Sequence, residues 1–467
     1  MRECAVMKKA FVVLFLSLCF VIPTLAEEAD LLITGGVVVT MDKERHIYSP
    51  GMVLAKDGVI VEVGPVRPNA GAKRVIDASG KAVVPGLVNA HTHLPMVLFR
   101  GLADDLELNA WLRETIFPAE AANVTADFVA AGTRLGLAEL IQGGVTTYAD
   151  MYYFEETVAA ETRKAGVRAV LGQTMLDFPA PDFKSWPEMT AAIRRFQENW
   201  GQDSLITPAL APHAPYTVGP EHWREVAALA EELDMPVLTH LAEAPLEVEH
   251  TLREYSRRPV PFLDEQGVLT KRLTGAHVIY VDDSEMKLLA ERSVGAAHCP
   301  ESNMKVAVGV SPVPDLLKAG VRVGLGTDGA ASNNDLDMWQ EMDTAAKLHK
   351  NERRDPTVMP AESAFALATI GGAQALHMEN EIGSLEVGKA ADLALVDLDQ
   401  TRLTPLYNNI YSLLVYAVRA GDVTHTVVGG RVLMENRRLL TLDETAIKSE
   451  VAEYRKRVLR SLNLTSQ

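Results

Sequence analysis

His91-Thr92-His93, His240 with Glu243, His277 and Asp328 each follow an apolar, strand-like run. Residues of these types can grip a divalent ion and move protons around it, which is the chemistry of metal-activated hydrolysis. His91 and His93 stand two apart, and the period of two in a strand sends both side chains the same way. Two imidazoles so placed can share one ion, although a bare His-x-His also reads as polar loop. Here the pair follows Val83-Val84-Pro85-Gly86-Leu87-Val88-Asn89-Ala90, a buried strand with a turn within it, which favours a site. His240 offers a third imidazole; taken alone it reads equally as a core histidine with its hydrogen bonds satisfied. Glu243 then stands beside the metal rather than on it. Asp328, in Leu325-Gly326-Thr327-Asp328-Gly329, adds a carboxylate, yet Asp before Gly is by itself a turn residue. The joint placement of these groups, each at the same end of a different strand, favours the metal reading.

Three imidazoles and a carboxylate (His91, His93, His240 and Asp328) suit one borderline divalent metal, zinc first and iron as the alternative, with a position open for water. An open metal site takes bound water from a pKa of about 15.7 to about 7. At about 1.36 kcal/mol per unit, that is on the order of 12 kcal/mol, more than a side-chain base alone supplies. Glu243 and Asp328 are within reach to handle the protons.

Such a site needs a scaffold that aims several strand ends at one point. Eight strand-like runs alternate with helical patterns: Val83–Asn89, Val145–Asp150, Arg168–Gln173, Ile206–Ala211, Val237–His240, Gly275–His277, Val294–His298 and Arg322–Gly326. The helical stretches include Thr125–Gln142, Glu221–Leu233, Ser284–Glu291 and Val313–Ala319. Eight such units imply an α/β fold, a TIM-like (β/α)8 barrel with its site at the C-terminal ends of the strands. Short strands flank it: Leu31–Thr34, Val37–Thr40, Met52–Lys56, Val59–Val63 and Arg74–Asp77 before, and Leu393–Asp397, Val423–Val428 and Arg431–Glu435 after, with Gly429-Gly430 as a hairpin turn. Both ends of the chain then build one small β-sandwich. The expected division is a signal peptide at 1–26, sandwich at 27–84, barrel at 85–384, sandwich again at 385–440, and a C-terminal helix or tail at 441–467.

The 467 residues suffice for a barrel with a satellite domain, and 48% hydrophobic against 23% charged residues indicates a large ordinary core. With a net charge of −17 and no block of Lys and Arg to track phosphates, nucleic acid is excluded as a partner. Lys8 and Lys9 precede an apolar run from Ala10 to Pro23, and Thr24-Leu25-Ala26 offers small residues for a signal peptidase. The pattern predicts an exported, periplasmic protein without a lasting membrane partner, and the signal is better formed from Met7 than from Met1. An uncleaved anchor is the alternative, and a lipoprotein at Cys19 is disfavoured by Leu18. Removal of that segment takes Cys4 and Cys19, leaving Cys299 and no internal disulfide.

The stretches Pro85–His93, His213-Ala214-Pro215-Tyr216-Thr217, His240-Leu241-Ala242-Glu243, His298-Cys299-Pro300-Glu301-Ser302-Asn303-Met304-Lys305 and Gly324–Asn334 resemble the amidohydrolase superfamily. Within it they are most similar to the branch of 5′-methylthioadenosine/S-adenosylhomocysteine deaminases, with triazine and guanine hydrolases nearby. The resemblance runs from about Asp30 to about Glu435. It implies one metal on His91, His93, His240 and Asp328, because His213 stands where two-metal members carry a bridging Lys. It implies that His277 orients or polarises the attacked centre, that water gives a proton towards Asp328 and attacks C6 of an adenine, and that Glu243 protonates N1. It further implies substrate contacts at Trp111, packing near the base and thioether, at Glu120 on the ribose hydroxyls, and at His213 and Ser332. For Trp111 and Glu120 a plain helix residue and a solvated carboxylate remain open. Thr174–Trp186 holds Lys184 as its one cation and no Arg to clamp a homocysteine carboxylate, so methylthioadenosine or adenosine is the expected substrate. The competing readings are a related hydrolase of a guanine, pterin, cytosine-like or chloro-triazine ring, and a binding protein on this fold that has lost the chemistry. The second would have shed ligands, and all four are present. Homo-oligomer formation stays open.

Overall fold

The computed structural model describes residues 29–464, so the predicted signal segment lies outside the described residues. The chain opens with β1 (Ala29–Val39), β2 (Ile47–Lys56), β3 (Val59–Pro65), β4 (Ala72–Asp77) and β5 (Lys81–Pro85). The next eight strands alternate with helices: β6 (Leu87–Thr92), β7 (Val145–Tyr152), β8 (Arg168–Met175), β9 (Ile206–Pro212), β10 (Val237–Leu241), β11 (Leu273–His277), β12 (Gly295–His298) and β13 (Arg322–Leu325). Then come β14 (Leu393–Asp397), β15 (Val423–Val428), β16 (Arg431–Glu435) and β17 (Arg438–Leu439), and the helix Glu444–Ser461.

Strands β6 to β13 run in sequence order as one parallel eight-stranded sheet, a nearly closed barrel. Its seam is stitched rather than laddered. Asp328 N–H donates to the His91 carbonyl at 3.0 Å. Asn89 donates through Nδ2 to Thr327 Oγ1 at 2.8 Å and accepts the Thr327 N–H at 3.0 Å. Small and branched residues fill the interior, among them Val88, Ala149, Val170, Ala209, Leu238 and Ala297. The barrel is therefore a packed core with usable space only beyond the strand ends.

The other nine strands form the second sheet, in which β5 from the first segment pairs with β14 from the last. That pairing joins the two ends of the chain as the sequence predicted. Two expectations are corrected. Val83–Asn89 is not one strand: Val83 and Val84 belong to β5, and the barrel strand begins at Leu87. Gly86 divides them because a Cβ there would lie 2.0 Å from Thr146 Oγ1. Leu31–Thr34 and Val37–Thr40 are in turn a single strand, β1. Gly35, at φ +92°, and Gly36 carry a bulge rather than a turn, handing β1 from β4 to β5 as neighbours. The Arg168–Asp392 pair, 2.9 Å long and buried, ties barrel to sheet. The helix Glu444–Ser461 lies against the helix Ala126–Gln142, with Arg134 donating to both Glu450 oxygens at 2.8 Å. Among the described residues no helix is long and apolar enough to cross a membrane.

Candidate active site and metal centre

His91 and Thr92 close β6, and His93 follows at once, with the two imidazole centroids 4.9 Å apart. The carboxylate of Asp150, on β7, holds this strand end by accepting from Thr92 Oγ1 at 2.7 Å and from Leu94 N–H at 2.5 Å. His93 Nδ1 lies 2.7 Å from the Met151 carbonyl, and His240 Nδ1 lies 2.8 Å from the His213 carbonyl. A carbonyl only accepts, so both Nδ1 atoms carry hydrogen. In the neutral imidazoles both Nε2 atoms are then bare lone pairs, yet they face each other at 3.2 Å. Two lone pairs at that distance repel unless a cation lies between them.

The remaining donors point into the same space. His91 Nε2 is buried without a hydrogen-bond partner. Asp328 Oδ1 lies 3.5 Å from it and 3.2 Å from His93 Nε2. The donor atoms of His91, His93 and His240 fall within 4.8 Å of one another, as do those of His91, His277 and Asp328. An orphaned nitrogen, two opposed lone pairs and a carboxylate fit a divalent ion that accepts nitrogen and oxygen ligands. The protonation balance agrees. Burial pulls His91 down to about 4 despite Asp328, and His240 well below the imidazole range. Burial would lower His93 too, but Asp328 overrides it and lifts the group to about 9. Asp328, which burial alone would raise, is held well below the carboxylate range by its His91 and His93 contacts. The pocket calls for positive charge that a metal ion would supply.

Asp328 sits in a left-handed conformation (φ +60°), and its second oxygen, Oδ2, accepts from Ser302 Oγ at 2.6 Å and Ser332 Oγ at 3.0 Å. His277, also left-handed (φ +72°), has Nδ1 2.9 Å from Asn303 Oδ1 and Nε2 3.8 Å from Glu243 Oε1. Burial raises the Glu243 carboxyl above its ordinary range, and Asp328 adds to the effect against the pull of His277. His213 contacts Thr217 Oγ1 through Nδ1 at 3.1 Å, and burial takes it down to about 3.

A cleft opens over these groups. It is lined by His93, His213, His240, Glu243, His277, Asp328 and Ser332, and also by Trp111 and Glu120. His91 lies behind this wall, 4% exposed. Every residue that the sequence nominated is thus at or directly behind one cleft. Trp111 begins a π-helical turn, Trp111–Ile116, and Glu120 lies in the helix Phe117–Asn123. Glu120 accepts from the Tyr152 hydroxyl at 2.8 Å, and burial raises its carboxyl to about 7 against that donation. Sequence reasoning gave no role to Ser302 and Asn303, though both fall in the His298–Lys305 stretch. It also passed over Tyr152 and Asp150, whose side chains look like core and cap residues until the strand ends are brought together.

Comparison with known proteins places this geometry. The amidohydrolase family pattern matches residues 82–433. A 5-methylthioadenosine/S-adenosylhomocysteine deaminase of Syntrophobacter fumaroxidans is 48% identical over 429 residues, 91% of this chain and 98% of the relative. A 5′-deoxyadenosine deaminase of Methanothermobacter thermautotrophicus is 42% identical, covering 91% and 98% respectively. Among solved structures, an adenosine deaminase from Xanthomonas campestris with bound zinc superposes with a TM-score of 0.91 at 41% identity, covering 93% of this chain and 99% of that one. The match along the whole barrel and into both flanking strand groups, on a chain whose donors converge as described, makes this protein a member of the amidohydrolase family.

Proposed function

We propose that the protein is a metal-dependent hydrolytic deaminase that converts the 6-amino group of an adenosine-type nucleoside to the inosine form and releases ammonia. The convergence of three Nε2 atoms carries this reading: those of His93 and His240 face each other at 3.2 Å beside the unpartnered Nε2 of His91, an arrangement that one cation satisfies at once. The deaminase names of similar proteins support the substrate class. His91, His93, His240 and Asp328 would hold the ion, zinc being the choice supported by the Xanthomonas neighbour. When bound, such an ion acidifies water from a pKa of about 15.7 to about 7 and so supplies the nucleophile.

The chain's own groups do the rest. Asp328 takes the proton that water gives up. Glu243, whose carboxyl burial raises above its ordinary range, delivers its proton to ring N1, which makes C6 electrophilic. It then takes the proton of the new C6 hydroxyl as the carbonyl forms, which helps ammonia leave, while the proton held by Asp328 passes to the amino group. His277, 3.8 Å from Glu243, orients the attacked centre. Glu120 accepts from the two vicinal ribose hydroxyls. Trp111 packs on the base and the 5′ group, and His213 and Ser332 complete the wall. Lys184 donates to the carbonyls of Ala180 at 2.5 Å and Pro181 at 3.2 Å, so it is spent on its own loop. Leu108, Leu112, Ile116 and Phe117 give the cleft an apolar stretch, which the proposal assigns to the 5′ group. This favours methylthioadenosine or adenosine over S-adenosylhomocysteine. Catalytic efficiency on the three nucleosides and a panel of free bases tests the reading. A strong preference for S-adenosylhomocysteine overturns the preference, and activity on free guanine or a triazine alone overturns the nucleoside assignment.

Export to the periplasm is a separate part of the proposal, supported by Lys8, Lys9 and the apolar run to Pro23. Cell fractionation tests it, and full-length chain in the cytosol removes it.

A further inference from the structure

Between His240 and the helix Pro245–Tyr255 the chain reverses through Ala242, whose backbone is left-handed (φ +52°), and Glu243 comes next. One side chain gathers the N–H groups of that turn. Glu247 Oε1 accepts from Ala242 N–H at 2.8 Å, and Oε2 accepts from Glu243 N–H at 3.0 Å. On the other side, the Ala242 carbonyl accepts from Ile279 N–H at 3.0 Å and Tyr280 N–H at 2.9 Å, while the Leu241 carbonyl accepts from Val278 N–H at 3.0 Å. Those donors directly follow His277. The turn that carries Glu243 is therefore pinned from both sides, with the His277 loop as one jaw and Glu247 as the other.

Glu247 occupies the third position of its helix, where a glutamate ordinarily folds back onto the N–H of the capping residue, here Ala244. It reaches past that residue to the two before it. The side chain is 1% exposed and costly to bury as a carboxylate, so its place is explained by what it holds.

We infer that Glu247 is a positioning residue for Glu243, fixing through the two backbone N–H groups the direction in which the Glu243 carboxyl enters the cleft beside His277. The inference rests on the deaminase reading, in which Glu243 moves the protons. Both N–H groups need an acceptor, and Glu247→Gln leaves only one, turning an amide N–H at the other.

The test is a double-mutant cycle of E243Q, E247Q and the pair, assayed on methylthioadenosine with bound metal measured in each. In the wild-type background E247Q should lower kcat about 100-fold while KM moves less than about 3-fold and metal content is unchanged. In the E243Q background the same change should cost less than about 3-fold, because the group that it positions is already gone. Equal losses in both backgrounds, or a loss confined to KM or to metal, overturn the inference. Hydrogen–deuterium exchange provides a readout without substrate: amides of Ala242 and Glu243 should exchange at least about 10-fold faster in E247Q, with those of Ile279 and Tyr280 unmoved. Unchanged exchange sinks the positioning role even if the wild type deaminates nothing, whereas faster exchange with no nucleoside activity sinks only the deaminase reading. Should E247Q fail to fold, E247D is read on the same cycle and is expected to show the same non-additivity.

Discussion

The two ends of the cleft are built on different principles. At the metal end the functional groups stand on strand ends or within three residues of them, and three of the rings are fixed from behind: His93 by the Met151 carbonyl, His240 by the His213 carbonyl, His277 by Asn303. Left-handed backbone at Ala242, His277 and Asp328 turns the chain sharply at three of these ends. At the far end Trp111 and Glu120 ride on a π-turn and a short helix inserted after the first barrel strand, and Glu120 is steadied by Tyr152. An ion tolerates little displacement of its ligands, so those residues need the stiffest elements of the fold. A nucleoside wall needs apolar surface and a few polar contacts, which helices between strands can vary without disturbing the metal. The contrast predicts that damage at the first end appears in metal content and kcat, and at the second in KM.

The strongest test removes a ligand. His91→Ala should strip the metal and lower kcat/KM by more than about 1000-fold, since the acidification of water to a pKa of about 7 is lost with the ion. Metal analysis of the purified variant checks this; full metal content with full activity breaks the comparison at its root. Next in size, Glu243→Gln should lower kcat by about 100- to 10,000-fold, the range for a lost general acid–base, while metal content stays at the wild-type level. Loss of metal in E243Q would instead move Glu243 into the ligand set.

The same contrast governs what was legible in the sequence. Apolar runs ending in His or Asp announced the strand ends, because a buried strand has few other ways to finish in polar residues at one face. Four of the eight runs end so, and the alternation of apolar runs with helical patterns supplies the other barrel strands. Gly86 and Gly35-Gly36 misled in opposite directions: one divides what looked continuous, the other bulges within what looked divided, and only packing against Thr146 or a change of neighbour strand tells them apart. The insertion carrying Trp111 and Glu120 has no strong period, so those two residues were found by resemblance alone. Buried carboxylates such as Asp150 and Glu247 were invisible, because a lone acidic residue reads as solvated until its backbone donors are placed around it.

At the far wall the effect should be smaller and should depend on pH. In its proposed role Glu120 would accept from ribose hydroxyls best as a carboxylate, and burial holds it up to about 7. It is ionised above that value and neutral below it, so KM should be flat in mildly alkaline buffer and rise as the pH falls through about 7. Glu120→Gln should raise KM about 10- to 100-fold, the scale of a lost hydrogen bond to a charged group, change kcat little, and abolish that pH limb. A dominant fall in kcat, or a pH limb that survives in E120Q, would show that Glu120 belongs with the chemical end.

The smallest effect is expected where the sequence offered its one candidate for a tail clamp. Lys184 is the single cation of the loop after the third barrel strand, and its ammonium is already engaged by the carbonyls of Ala180 and Pro181. Reaching a substrate carboxylate would mean surrendering both contacts, and the new ion pair at a solvent-facing mouth would be worth about 1 kcal/mol at most. Lys184→Ala should therefore change kcat/KM on methylthioadenosine by less than about 2-fold, and on S-adenosylhomocysteine by hardly more. Parallel assays of the variant on both substrates decide the matter. A loss of about 10-fold confined to S-adenosylhomocysteine, close to 1.4 kcal/mol, would mean that Lys184 turns out of its loop to meet the tail. The far wall would then hold an adaptable charge clamp as well as its apolar surface, and the preference for small 5′ groups would fall with it.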